Sequence, residues 1–106
     1  MYRKDKLKNS IMELAAKFIE KESPPNTLVT VTNCDISKKF DYATILITVL
    51  PDEKETEIIK YFEKKIGTLR KYISENLKIR AVPALKIQID IGEKNRQRIE
   101  ELSRKG

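Results

Sequence analysis

Seven cations, Lys60, Lys64, Lys65, Arg70, Lys71, Lys78 and Arg80, flank an apolar stripe in the second half of the chain. Lys60, Lys64, Lys71 and Lys78 recur at steps of four and seven, which puts them on one helix flank if any kink between them is mild. Such a line of ammonium groups can neutralise several phosphates at once. It gives affinity for a polyanion without reading its sequence, and a steep dependence on salt. Aromatic partners for base stacking are sparse: Tyr61, Phe62 and Tyr72 lie near, and Phe62 falls on the apolar stripe. Contact with the backbone and shape of folded RNA is therefore favoured over reading of single-stranded bases. The plainer reading stays open, that these cations only solvate a helix face.

Other chemistry is thin. The chain has no histidine, which removes His-based acid-base catalysis, His metal ligation and Ser/His or Cys/His nucleophile pairs. The single cysteine, Cys34, sits between Asn33 and Asp35. Acidic surroundings raise a thiol pKa, so Cys34 reads as a small buried hydrophobe. It also cannot form an internal disulfide, which suits a reducing compartment. Asp52, Glu53, Glu55 and Glu57 cluster where a helix N-terminus favours anions, and their spacing is not specific for Mg²⁺. The glycines are Gly67, Gly92 and Gly106, so there is no phosphate-cradling Gly-rich loop. Arg80 has a structural reading too, as a partner for a carboxylate just before a strand.

The net charge of +6 is unevenly distributed. Residues 9–59 carry five cations against nine anions, whereas residues 60–91 carry eight against three. That segregation points to an anionic partner. The basic N-terminus, with Arg3, Lys4 and Lys6, is followed by no apolar run of signal-peptide kind, and no apolar segment approaches the roughly 18 residues of a membrane span. A soluble, cytoplasmic, monomeric protein with no membrane association is expected.

The elements that must position these residues follow from periodicity. Leu7, Ile11, Leu14, Ala15, Phe18 and Ile19 predict an amphipathic helix over about 4–22, ended by Ser23-Pro24-Pro25-Asn26. Residues 27–36 and 41–50 read as strands joined by a hairpin at Ser37-Lys38-Lys39. Asp52 as N-cap with Glu55 three residues on resembles a capping box. Ile59, Phe62, Ile66, Leu69, Ile73 and Leu77 form one stripe, in which Gly67 marks either a kink between two helices or a close packing contact. Leu85, Ile87, Ile89 and Ile91 alternate as a third strand. The charged stretch from Glu93 to Arg104 is helix-prone, anchored only by Ile99 and Leu102. A three-stranded sheet covered on one face by helices buries these stripes most simply.

These blocks resemble the ribosome-binding factor A family in the family's own order. Ile11, Glu13, Leu14 and Ala15 fit its first helix, Val29-Thr30-Val31-Thr32 through Ile36-Ser37 its first strand, and Ala43 through Thr48-Val49-Leu50 its second. Gly67-Thr68-Leu69-Arg70 is similar to its Gly-Phe-Ile-Arg. Leu77, Arg80, Pro83, Leu85 and Asp90 follow its Leu-x-x-Arg-x-x-Pro-x-Leu pattern and later Asp, and Arg98-Ile99 with Leu102 its closing Arg-Ile-x-x-Leu. Four residues depart from the pattern: Lys65 stands for an alanine, Pro24 and Asn26 for the Asp and Arg of Asp-Pro-Arg, and Ala84 for a glutamate.

The resemblance implies an α+β, type-II KH-like domain of order α-β-β-α-α-β. An interhelical kink at Lys65-Ile66-Gly67 would replace the usual Gly-x-x-Gly loop. Residues 1–92 would form that domain and 93–106 a charged C-terminal tail. It further implies a non-catalytic factor, without cofactor or metal, that binds the free small (30S) ribosomal subunit. Such a factor assists late maturation of 16S rRNA, including 5′-end processing, and is linked to cold adaptation. The residues expected to meet RNA are Arg3, Lys4, Lys6, Lys60, Lys64, Lys65, Arg70, Lys71, Lys78 and Arg80, with Gly67 as the hinge. A protein-interaction domain docking an acidic partner is the alternative. A small phosphate-handling enzyme is disfavoured by the missing histidine and glycine loop.

Overall fold

The first helix, α1 (Lys4–Glu22), buries Leu7, Ile11, Ala15, Phe18 and Ile19, a stripe in steps of three and four that lies along one face. The computed structural model describes residues 4–79 and 81–105. The Ser23 hydroxyl and N–H both donate to the Ile19 carbonyl, closing the last turn before Pro24. Asn26 takes a left-handed φ of 65° and turns the chain into β1 (Leu28–Ile36).

Strand β2 (Tyr42–Leu50) pairs antiparallel with β1 across the expected hairpin. The Ser37 N–H donates to the Tyr42 carbonyl at 2.9 Å, and the Ser37 hydroxyl accepts from the Tyr42 N–H at 3.0 Å. A bulge between Val31 and Asn33 leaves Thr32 without a register partner. After the cis Leu50–Pro51 bond comes a 3₁₀ turn, Asp52–Lys54, and then α2 (Glu55–Glu63). The expected capping box is absent. Neither helical start has a side-chain cap, because the tight turn sets Asp52 one turn ahead of the α-helix.

Helix α3 (Ile66–Asn76) leads back to β3 (Ala84–Ile89), which pairs parallel with β2. That crossover is what a parallel pair requires, and β2 is central in the order β1-β2-β3. Apolar rows therefore cross the sheet: Ile36–Ala43–Leu85, Cys34–Ile45–Ile87 and Val31–Ile47–Ile89. Helices α1, α2 and α3 cover this face with Ile11, Ile19, Ile58, Phe62, Leu69 and Ile73, all at most 1% exposed. Each such burial is worth about 1.5–3 kcal/mol. The fold is the expected α+β, type-II KH-like arrangement of α-β-β-α-α-β order, with helices on one face of three strands.

Two details depart from the sequence pattern. Ile58, absent from the expected stripe, is fully buried, while Ile59 and Ile66 are only partly so. The third strand stops at Ile89. Asp90 still donates its N–H to the Ile47 carbonyl, but its carboxylate accepts the Glu93 N–H and starts α4 (Ile91–Lys105), leaving Ile91 67% exposed.

Candidate nucleic-acid interface

The candidate site is built around the break between α2 and α3. The Lys64 N–H donates to the Lys60 carbonyl at 3.2 Å, but the Lys65 N–H reaches only to Phe62, at 3.0 Å. That tighter bond ends α2, and Lys65, at φ −102° and ψ 6°, redirects the chain. The Leu69 N–H then bonds to the Lys65 carbonyl at 2.9 Å, opening α3. The interhelical kink is thus centred on Lys64 and Lys65, with Gly67 two residues on, inside the first turn of α3. Gly67 is exposed, its φ is not positive, and a Cβ there would meet nothing within 4 Å. Neither backbone strain nor close packing accounts for the glycine; it leaves a bare patch beside the kink.

The kink also decides where the cations go. Lys60 lines a hollow with Ile59, Glu63 and Ile89 on the β3 side of α2. Lys71 lines a groove against α1, on the other side. Lys78 follows the end of α3. All four lysines expected on one flank are exposed, but Lys60 and Lys71 line different grooves, so the flank is divided by the turn at Lys64 and Lys65.

Two of the expected RNA contacts are engaged within the fold. Lys65 Nζ lies 3.9 Å from Glu22 Oε2 and 5.1 Å from the Tyr61 ring centroid. Tyr61 in turn donates its hydroxyl to the Glu22 carbonyl at 2.9 Å, so the kink is tied to the C-terminal end of α1, where a cation is favoured. The Arg70 guanidinium donates through Nη2 to the Val82 carbonyl at 2.7 Å and holds the segment leading into β3. Lys4 and Lys6 are exposed in the first turn of α1. At 1.5 Å per residue they stand about 25 Å from the Glu22 end that meets the kink. Arg3 and Arg80 lie outside the described residues.

Two grooves flank the kink. One, of about 680 Å³, runs between Ile59, Glu63 and Ile66 on the helices and Lys86, Gln88 and Ile89 on β3. Among the described residues β3 pairs only with β2, and its residues 85–89 line this groove. The second groove lies between α1 and α3 and brings Lys17 and Lys21 alongside Lys71. Sequence reasoning missed Lys17, Lys21 and Lys86. The two on α1 are one turn apart, a helical signal masked by the acidic balance of residues 9–59.

No nucleophile with an activating base emerges among the described residues. Cys34 is buried, and desolvation, reinforced by Asp35, raises its thiol to about 11. Glu55, one of the clustered carboxylates, is held by Lys94 Nζ at 3.0 Å. Among the described residues no helix is long and apolar enough to cross a membrane.

Fold and site together define a KH-like domain that carries an interhelical kink bordered by exposed lysines. The model of the family described as ribosome-binding factor A matches residues 3–103, and the chain belongs to that family. A ribosome-binding factor A from Fervidobacterium nodosum is 32% identical over 87 residues, covering 81% of this chain and 67% of that one. The crystal structure of ribosome-binding factor A from Thermus thermophilus has a TM-score of 0.74 at 18% identity, covering 83% of this chain and 97% of the other. A homology model of the Thermus thermophilus factor, fitted into a cryo-electron-microscopy map of its complex with the 30S subunit, has a TM-score of 0.69 at 17% identity. It covers 78% of this chain and 90% of the other.

Proposed function

We propose that this chain is a non-catalytic factor that binds the free small (30S) ribosomal subunit and assists late maturation of its 16S rRNA, including processing of the 5′ end. The family match over residues 3–103 carries this reading. The relative from Thermus thermophilus fitted in a 30S complex supports the choice of partner. In this reading the exposed Lys60, Lys64, Lys71 and Lys78 supply phosphate contacts, and the bare surface at Gly67 lets the RNA backbone come close to α3. Lys4 and Lys6 add charge at the far end of α1, and Arg3 and Arg80, which lie outside the described residues, carry charge of the same sign. Lys65 and Arg70 shape the face more than they touch RNA, since each already has a partner in the fold. The protein acts as a cytoplasmic monomer.

Co-sedimentation with free small subunits at two salt concentrations tests it. The wild type binds with a steep salt dependence, and Lys60→Glu/Lys64→Glu binds more weakly with a salt slope lower by about 1–2. Undiminished binding of that variant would remove the kink face from the interface. Binding that survives nuclease treatment of the subunits would instead identify a protein partner.

A further inference from the structure

The groove between α1 and α3, about 380 Å³, has an aromatic floor and a cationic rim. On the floor, Phe18 and Tyr72 place their ring centroids 5.9 Å apart at an interplanar angle of 42°. Phe18 is buried, whereas Tyr72 is half-buried and lines the opening. On the rim, Lys17 and Lys21 of α1 stand across from Lys71 of α3, and all three are exposed. The ion pair of Lys17 with Glu13 is long, at 3.7 Å, and solvated on both sides, so it does little to hold the ammonium group. Glu22 and Glu75 also line the groove, so three cations face two carboxylates and the rim stays net positive, by one charge.

That combination is more specific than a solvated helix face, which needs no aromatic floor. A planar apolar group flanked by negative charge matches a nucleotide: the base has a π-face for an aromatic ring, and its phosphates lie within reach of cations. The volume lies in the lower part of the range for small-ligand sites, roughly 300–1,000 Å³. Glu22 belongs both to this groove and to the Lys65 contact, so the groove opens directly beside the kink. An RNA strand crossing the kink would run into it.

We infer that the α1–α3 groove seats one unstacked nucleotide of a single-stranded RNA segment, with the base against Tyr72 and the phosphates on Lys17, Lys21 and Lys71. The inference rests on the RNA-binding reading above and adds a base seat to a face otherwise limited to phosphate contacts. It also assigns a role to two lysines in the acidic half of the chain.

Fluorescence anisotropy with a 5′-labelled oligouridylate of about eight nucleotides tests the seat. Lys17→Glu/Lys21→Glu changes two exposed positions, and it is expected to weaken binding about tenfold. Tyr72→Leu is expected to weaken it to a similar degree, about tenfold, while Tyr72→Phe, which keeps the ring, binds as the wild type does. Wild-type protein that fails to bind the oligonucleotide, or unchanged binding by Lys17→Glu/Lys21→Glu, overturns the proposal. Equal losses in Tyr72→Leu and Tyr72→Phe also overturn it, because the ring would then not be what holds the base.

The kink face is scored separately, by sedimentation of Lys60→Glu/Lys64→Glu with free small subunits. Loss there with intact oligonucleotide binding in the groove variants refutes the seat and leaves the functional reading standing. The reverse pattern refutes the kink face and leaves the seat.

Discussion

Thr32 donates its hydroxyl to Asp90 Oδ2 at 2.6 Å across 58 positions of sequence. Thr32 is the bulged residue of β1, and Asp90 is where β3 gives way to α4. The other oxygen of Asp90 accepts the Glu93 N–H at 2.9 Å, so one carboxylate joins a strand bulge to a helix start. Both hydrogen bonds favour the ionised form, and that from Thr32 contributes most to lowering the Asp90 pKa below its ordinary value. A carboxylate with a depressed folded pKa adds stability above its unfolded value, about 3.9, and loses it as pH falls through the lower folded value. Acidification through that window is expected to loosen the start of α4. Asp90→Asn should remove this component of the pH dependence, read as amide shifts of residues 90–94 in an NMR titration. An identical titration for both proteins would show that the carboxylate is not the link.

Arg70 is expected to behave as a brace. Its guanidinium reaches the Val82 carbonyl from α3, and Val82 is buried just before β3. Arg70→Ala should lower stability by about 1 kcal/mol in denaturant unfolding. It should also raise amide exchange at residues 81–85. Charge reversal at Arg70 would therefore mix a folding defect with any loss of RNA affinity, whereas Lys60 and Lys64 report on charge alone. An Arg70→Ala protein with wild-type stability and exchange would return Arg70 to the contact surface.

The helices and strands were legible because each carries one clear period. Leu7, Ile11, Ala15 and Phe18 recur at helical steps, and Ala43, Ile45, Ile47 and Val49 alternate. Parity alone carried the third strand one residue pair too far, since it cannot register that Asp90 uses its side chain to cap a helix. The site was less legible than the fold. A count of charge along the chain finds residues 60–80, but the grooves are made across the chain. Lys71 meets Lys17 and Lys21 because α3 packs on α1, a pairing no local pattern encodes. Similarly, the expected flank of Lys60, Lys64, Lys71 and Lys78 assumed one axis, and the turn at Lys65 divides it.

Cys34 gives a folding probe. It is fully buried opposite Ile45, and burial raises its thiol to about 11. At pH 8 the native protein should react with a thiol reagent only through opening of the core, at rates that follow global stability as denaturant is added. The sign of the linkage is also determined. A thiol with a raised folded pKa contributes stability fully below its unfolded value, about 8.5, and loses it as pH rises toward about 11. Wild type should therefore lose more stability than Cys34→Ala over that interval. Rapid labelling under native conditions would contradict the buried, neutral thiol.

Gly67 separates stability from contact. It sits in the first turn of α3 with no positive φ, and an added Cβ would meet nothing within 4 Å. Alanine there restricts the unfolded chain and favours helix without a steric cost, so Gly67→Ala should stabilise the fold by about 0.5 kcal/mol. For a domain of this size that raises Tm by about 2–4 °C. A glycine at such a position, despite that cost, is explained if a partner's backbone approaches the bare turn beside Lys64 and Lys65. Gly67→Ala is then expected to melt higher and yet bind free small subunits severalfold more weakly, measured by thermal unfolding and sedimentation on one preparation. A higher Tm with unchanged binding would show that the partner does not touch this turn, and a lower Tm would mean that the kink itself needs the glycine.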